Sequence, residues 1–125
     1  MRKEAESLWA HHKYEVMFHS QKHYDLIRDT LKETDDIHEI ERLIKDALNV
    51  SPSKGSVLNA LDHMWGYFKK VCTDDEKEMY KKLKAEFTDS QNTEEDLLNF
   101  IKQQAEKYNT EYLLQSSILE KRSDS

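Results

Sequence analysis

Apolar residues recur at intervals of three and four along almost the whole chain, which is the period of amphipathic helices, and no stretch alternates as a strand would. The spacing predicts an all-α, compact bundle of six to seven amphipathic helices. The first runs from Lys3 to Phe18, followed by a joint at His19-Ser20. Ser20 is suited to cap a second helix that ends near Glu33 and buries Tyr24, Ile27 and Leu31. Asp35 or Asp36 caps a third, with Ile37, Ile40, Ile44, Ala47 and Leu48 facing inward. Ser51-Pro52 announces a fourth, because proline in a first helical turn gives up no needed donor. The pattern carries that helix to Lys70, with Val57, Leu61, Met64, Phe68 and Val71 as its stripe and Trp65 beside it. Thr73-Asp-Asp-Glu76 matches a capping box and opens a fifth helix with Met79, Leu83 and Phe87 inside and Tyr80 alongside. Thr88 to Asn92 is polar and predicts a loop. Thr93 caps a sixth helix carrying Leu97, Ile101, Ala105 and Tyr108, and Tyr112 to Leu119 suggests a short seventh. Residues 120–125 should fray.

At 125 residues the chain predicts one domain, 1–125, large enough for a single core. Two glycines and one proline are too few for many tight turns. A net charge of −6 argues against binding nucleic acid or acidic membrane with the whole surface, but the charge is uneven. Met1 to Arg28 holds five Lys/Arg against four acids, and Ser51 to Val71 holds Lys54, Lys69 and Lys70 against Asp62 alone. The acids gather around residues 33–41, 74–78 and 89–96. Cys72 is the single cysteine, so no internal disulfide and no cysteine-rich metal or cluster site is open to this sequence. No apolar run approaches the ~20 residues that cross a bilayer, and no secretory apolar segment follows Met1. These features point to a cytoplasmic protein without a membrane partner.

Two segments carry polar groups where folding alone does not ask for them. In the first helix, Leu8, Trp9 and Val16 define the inner side; His12 and His19 share it, and Lys13 falls between Trp9 and Met17, while His11 and Glu15 point away. Buried charge is costly without a partner, so these groups either reach a cleft edge or bond to other helices. In the fourth helix, Asn59, His63, Gly66 and Lys70 gather opposite the apolar stripe, with Tyr67 and Lys69 flanking. A glycine there costs about 1 kcal/mol relative to alanine, which suggests that a ligand, a partner or another helix approaches that face closely. An aromatic plane beside cations suits looped RNA, read by stacking and phosphate contacts, and suits an acidic protein patch equally well.

Other chemistries find little support. His12, His19 and His63 together offer three nitrogens, but no zinc-type spacing such as His-Glu-x-x-His is present, so no metal is expected. Lys54-Gly55 begins a helix, where free N–H groups favour anions, but the spacing of a phosphate loop is absent. The serines have no His/Asp companions for nucleophilic catalysis, and no cofactor motif occurs. Cys72 follows the apolar stripe and suits a small core residue.

The blocks His12-Lys13-Tyr14, His19-Ser20 with Tyr24, Lys54-Gly55, Asn59-x-x-x-His63-x-x-Gly66-Tyr67-Phe68-Lys69 and Tyr112-Leu113-x-Gln115 resemble the YbgA-like family, an uncharacterised helical domain. The resemblance spans about Leu8 to Leu119. Related domains also follow a desulfidase-type domain that removes sulfur from thiolated uracil, including in transfer RNA. The resemblance therefore implies an RNA-holding accessory. The desulfidase's iron–sulfur cluster needs several cysteines, so a chain with Cys72 alone should not carry that activity by itself.

The expected function is a helical binding module for structured RNA such as transfer RNA. Lys13, Lys54, Lys69 and Lys70 would meet phosphates, Tyr67 and Tyr14 would stack, Asn59 and His63 would hydrogen-bond, and His12 and His19 would extend the site near Gly66. One alternative is a small enzyme acting on a nucleotide or nucleobase, with His63 or His19 as general acid/base. Another is a module that docks on a desulfidase or repair enzyme. A single site requires the His12/Lys13/His19 and Asn59/His63/Gly66 faces to converge.

Overall fold

The computed structural model describes residues 2–120. Among them are α1 (Arg2–His19), α2 (Gln21–Glu33), α3 (Ile37–Leu48), α4 (Lys54–Trp65), α5 (Asp74–Thr88), α6 (Glu94–Lys107) and the single turns α7 (Glu111–Leu114) and α8 (Ser117–Glu120), with no strand. The caps read from the sequence set most boundaries. Ser20 Oγ accepts from His23 N, Asp36 Oδ1 from His38 N, and Thr73 and Glu76 complete a reciprocal box at the start of α5. At α4 the cap is Ser53, one residue beyond Pro52, paired reciprocally with Ser56. Of the residues expected to fray, Glu120 instead ends α8, and 121–125 lie outside the described residues.

Helix α1 is the spine of the bundle, buried between two apolar clusters. Its Ala5, Trp9 and Val16 pack with Ile27 and Leu31 of α2 and Ile40, Leu43, Ile44 and Ala47 of α3, while Ile37 and Leu48 are half-buried at the ends of that helix. Its Tyr14, Met17 and Phe18 join the larger cluster with α4, α5, α6, α7 and α8. Each fully buried Leu, Ile or Phe contributes about 1.5–3 kcal/mol of transfer free energy, so the two clusters account for the spine's position. Helices α1 and α4 run antiparallel: Phe18 meets Ser56 near the start of α4, and Tyr14 meets Tyr67 just past its end.

Three expectations are corrected. The fourth helix stops at Trp65 rather than Lys70. From Gly66 the chain tightens into turns, with Tyr67 N bonding Met64 O and Phe68 N bonding Trp65 O. Phe68 still lands in the core, but the tightening turns Val71 outward to 56% exposure. In α5, Met79 is exposed and Tyr80 is buried instead. Tyr80 stacks on Trp65 at 4.5 Å between centroids and donates its hydroxyl to Asp62 Oδ1 at 2.7 Å, so burial leaves its polar end paired. The expected seventh helix is broken into α7 and α8 at Gln115-Ser116. The α5–α6 pair is locked by Glu76, whose carboxylate receives Lys107 Nζ and Tyr108 Oη; these bonds and the Thr73 N–H hold its pKa down to about 2.

Candidate functional site

Successive residues of a helix point about 100° apart, and at residues 12–14 that rotation sends three side chains to three places. His12 turns toward α3. There it lines a groove of about 470 Å³ with Leu8, Ile44 and Leu48, rimmed by His38, Glu41, Arg42 and Lys45. Tyr14 turns into the larger core, and its hydroxyl lies 2.9 Å from that of Tyr67. Lys13, between them, sits among tyrosines. Its Nζ is 5.2 Å from the centroid of Tyr14 and 5.1 Å from that of Tyr112 in α7. Tyr67 and Tyr112 lean together at 6.2 Å and 37°.

This cluster has a definite charge state. Burial works against the Lys13 ammonium, but the phenol oxygens of Tyr112, Tyr24 and Tyr67 prevail and raise its pKa above the ordinary lysine value. Lys13 is a fixed cation at neutral pH, unsuited to the neutral-amine chemistry of a nucleophilic lysine. Burial, then the Tyr67 hydrogen bond, also pushes Tyr14 upward, so that phenol stays protonated. Tyr14 has no open face for a base. Tyr67 and Tyr112 do, at 41% and 42% exposure, and Lys69 and Lys70 stand exposed in the turns next to Tyr67.

The remaining sequence candidates divide between this seam and the opposite end of the α1–α4 pair. His19 Nδ1 bonds the Val50 carbonyl at 2.7 Å; a carbonyl only accepts, so Nδ1 carries the proton. Lys54 Nζ donates to Thr88 O at 3.0 Å and to Ser90 Oγ at 2.5 Å, tying the start of α4 to the α5–α6 loop. Asn59 Nδ2 donates to Gln21 Oε1 at 2.6 Å. His63 is exposed one turn before Tyr67, with Nδ1 donating to Asn59 O at 2.8 Å and Nε2 left as the acceptor of the neutral ring. At Gly66, no other element among the described residues comes within 4 Å of where a Cβ would stand. A Cβ there would meet only its own chain, the His63 carbonyl oxygen at 3.1 Å and that of Asp62 at 3.7 Å, so the glycine serves the tight exit from α4. Of the first face, only Lys13, with Tyr14 beside it, comes to Tyr67, which flanks the second face. His12 and His19 go elsewhere, and Asn59 and His63 bond Gln21 and Asn59 O instead.

Tyr112 is the member that reasoning on spacing passed over. It follows Lys13 by 99 positions, and its one local signal is the Tyr112-Leu113-x-Gln115 block. Among the described residues no group of three or more His, Cys, Asp or Glu is arranged to hold a metal ion, and no helix is long and apolar enough to cross a membrane.

No curated protein and no solved structure matches the chain. A family model does, over residues 13–122, a span that takes in Lys13, Tyr14, Tyr24, Tyr67 and Tyr112. The chain thus belongs to the family described as "Protein of unknown function (DUF1722)", the domain that YbgA-like proteins carry.

Proposed function

We propose that the protein is a cytoplasmic helical module that binds structured RNA such as transfer RNA at the seam of α1, α7 and the turns after α4. The observation that carries this reading is the pair of half-exposed tyrosines, Tyr67 and Tyr112, leaning together beside the Lys13 ammonium. Unstacked bases bind aromatic faces, and lysines beside them neutralise the flanking phosphates. Lys69 and Lys70 extend the cationic edge. The net charge of −6 is concentrated in runs at 33–41, 74–78 and 89–96, of which the second begins four residues after Lys70. The resemblance to domains that accompany a thiouracil desulfidase points to the same ligand class.

The test is fluorescence anisotropy of labelled transfer RNA at two salt concentrations. Wild type should bind saturably and more weakly at the higher salt. The triple variant Lys13→Ala/Lys69→Ala/Lys70→Ala should lose at least ~10-fold and show a shallower salt dependence, as fewer counterions are released. No binding by wild type at low salt would overturn the reading.

A further inference from the structure

Helices α5 and α6 leave between them a groove of about 400 Å³, none of whose lining residues belongs to the tyrosine seam. Met79, Leu83 and Phe100 form its apolar part, and Glu86 and Asp96 its charged part. We infer that this groove receives an amphipathic helix of a partner protein, apolar on its inner face and carrying lysine or arginine at one end. The inference stands apart from the RNA reading, which uses other residues.

The apolar residues of α5 point two ways. Tyr80 and Phe87 enter the larger core, whereas Met79 is 44% exposed and Leu83 is half-buried. Leu83 and Phe100 touch that core and line the groove as well. Methionine is flexible and polarizable, so Met79 can adapt to the shape of a partner. The lining runs from Met79 to Glu86 on one wall and from Asp96 to Gln103 on the other. Each run is about 10.5 Å, or two helical turns, which is the i to i+7 span of a helix laid in a groove. Both long walls are helices whose backbone groups bond internally, so they offer no strand edge to an extended peptide.

Charge decides the sign of the partner. No lysine, arginine or histidine is among the lining residues. Glu76 meets Lys107 and Tyr108 at one end of the α5–α6 hairpin, which puts Glu86 and Asp96 together at the loop end. Glu86 Oε1 accepts from Asn92 Nδ2 at 3.4 Å and Asp96 Oδ2 from Thr93 N at 3.1 Å; neither carboxylate has a cation partner among the described residues. Each keeps acceptor capacity for a lysine or arginine, and together they repel phosphate.

Three fluorescein-labelled peptides of about 18 residues, long enough to hold a helix, test this by anisotropy. The first carries leucines at helical spacing and lysines elsewhere, the second has glutamates for the lysines, and the third scrambles the first. Wild type should bind the first saturably and the other two at least ~10-fold more weakly. Met79→Ser and Glu86→Lys should each weaken the first peptide by at least about threefold. Leu26→Ser, which removes a comparably exposed apolar side chain from α2, should leave its affinity unchanged. No saturable binding of the first peptide, equal binding of either control peptide, or an affinity that survives both groove substitutions overturns the inference. Self-association of the wild type in sedimentation that Met79→Ser removes would make a second copy the occupant and overturn the partner helix.

Discussion

The two ends of the α1–α4 pair hold similar residues and differ in what those residues face. At one end, Ser56 Oγ donates to Phe18 O at 2.8 Å, His19 bonds Val50 O, Lys54 reaches Thr88 and Ser90, and Asn59 bonds Gln21. Each of these polar side chains has a partner on a different element or loop of the same chain. At the other end, Lys13, Tyr67 and Tyr112 touch one another but keep exposed aromatic surface, and the neighbouring Lys69 and Lys70 point to solvent. One end is closed and the other open. A histidine or lysine on a helix face thus indicates a ligand site only when the fold leaves its bonding capacity outward.

The closed end should break first as structure. Ser56→Ala removes half of the reciprocal cap of α4 and leaves the Phe18 carbonyl without that donor. A lost cap and a lost part-buried hydrogen bond together predict about 2 kcal/mol of destabilisation. Urea denaturation should show the midpoint falling at an unchanged slope. RNA affinity, measured well below the transition, should remain that of wild type.

At the open end the effect should be smaller and asymmetric. Tyr67→Phe leaves the buried Tyr14 hydroxyl without its partner, at a cost of about 1–2 kcal/mol for an unsatisfied group. Tyr14→Phe leaves only the Tyr67 hydroxyl, which water can serve, and should cost less than about 1 kcal/mol. Equal losses in the two variants would mean that Tyr14 is hydrated in solution and that the seam is wetter than its geometry indicates.

Local signals made most of the fold legible. Ser20, Asp36, Thr73 and the 3–4 spacing mark helix starts and inner faces because they act within one turn of chain. What escaped them depends on contacts between helices. Met79 and Tyr80 are equally plausible core residues on a wheel; the stack of Tyr80 on Trp65 and its bond to Asp62 choose between them. Phe68 and Val71 continue the α4 pattern, and only the tightening after Gly66 separates the buried one from the exposed one. The candidate site was legible to the same extent. Lys13 stood out as a cation in an apolar stripe, but the Tyr112 ring that faces it comes from the far end of the chain.

Lys54 is where residue type and environment disagree most openly. By type it matches Lys69 and Lys70, and it stands in the first turn of α4, where helix dipole and cation already oppose each other. Its ammonium is nonetheless directed at Thr88 O and Ser90 Oγ, on the side of the molecule where the α5–α6 loop turns. Because the group is exposed, Lys54→Met should lower stability by less than about 1 kcal/mol. Its effect on RNA is the sharper readout. With the ammonium engaged inside the protein, no counterion is released there, so affinity and salt slope should both stay at wild-type values. If the slope instead falls by about one phosphate contact, the start of α4 belongs to the binding surface and the division between a closed and an open end is wrong.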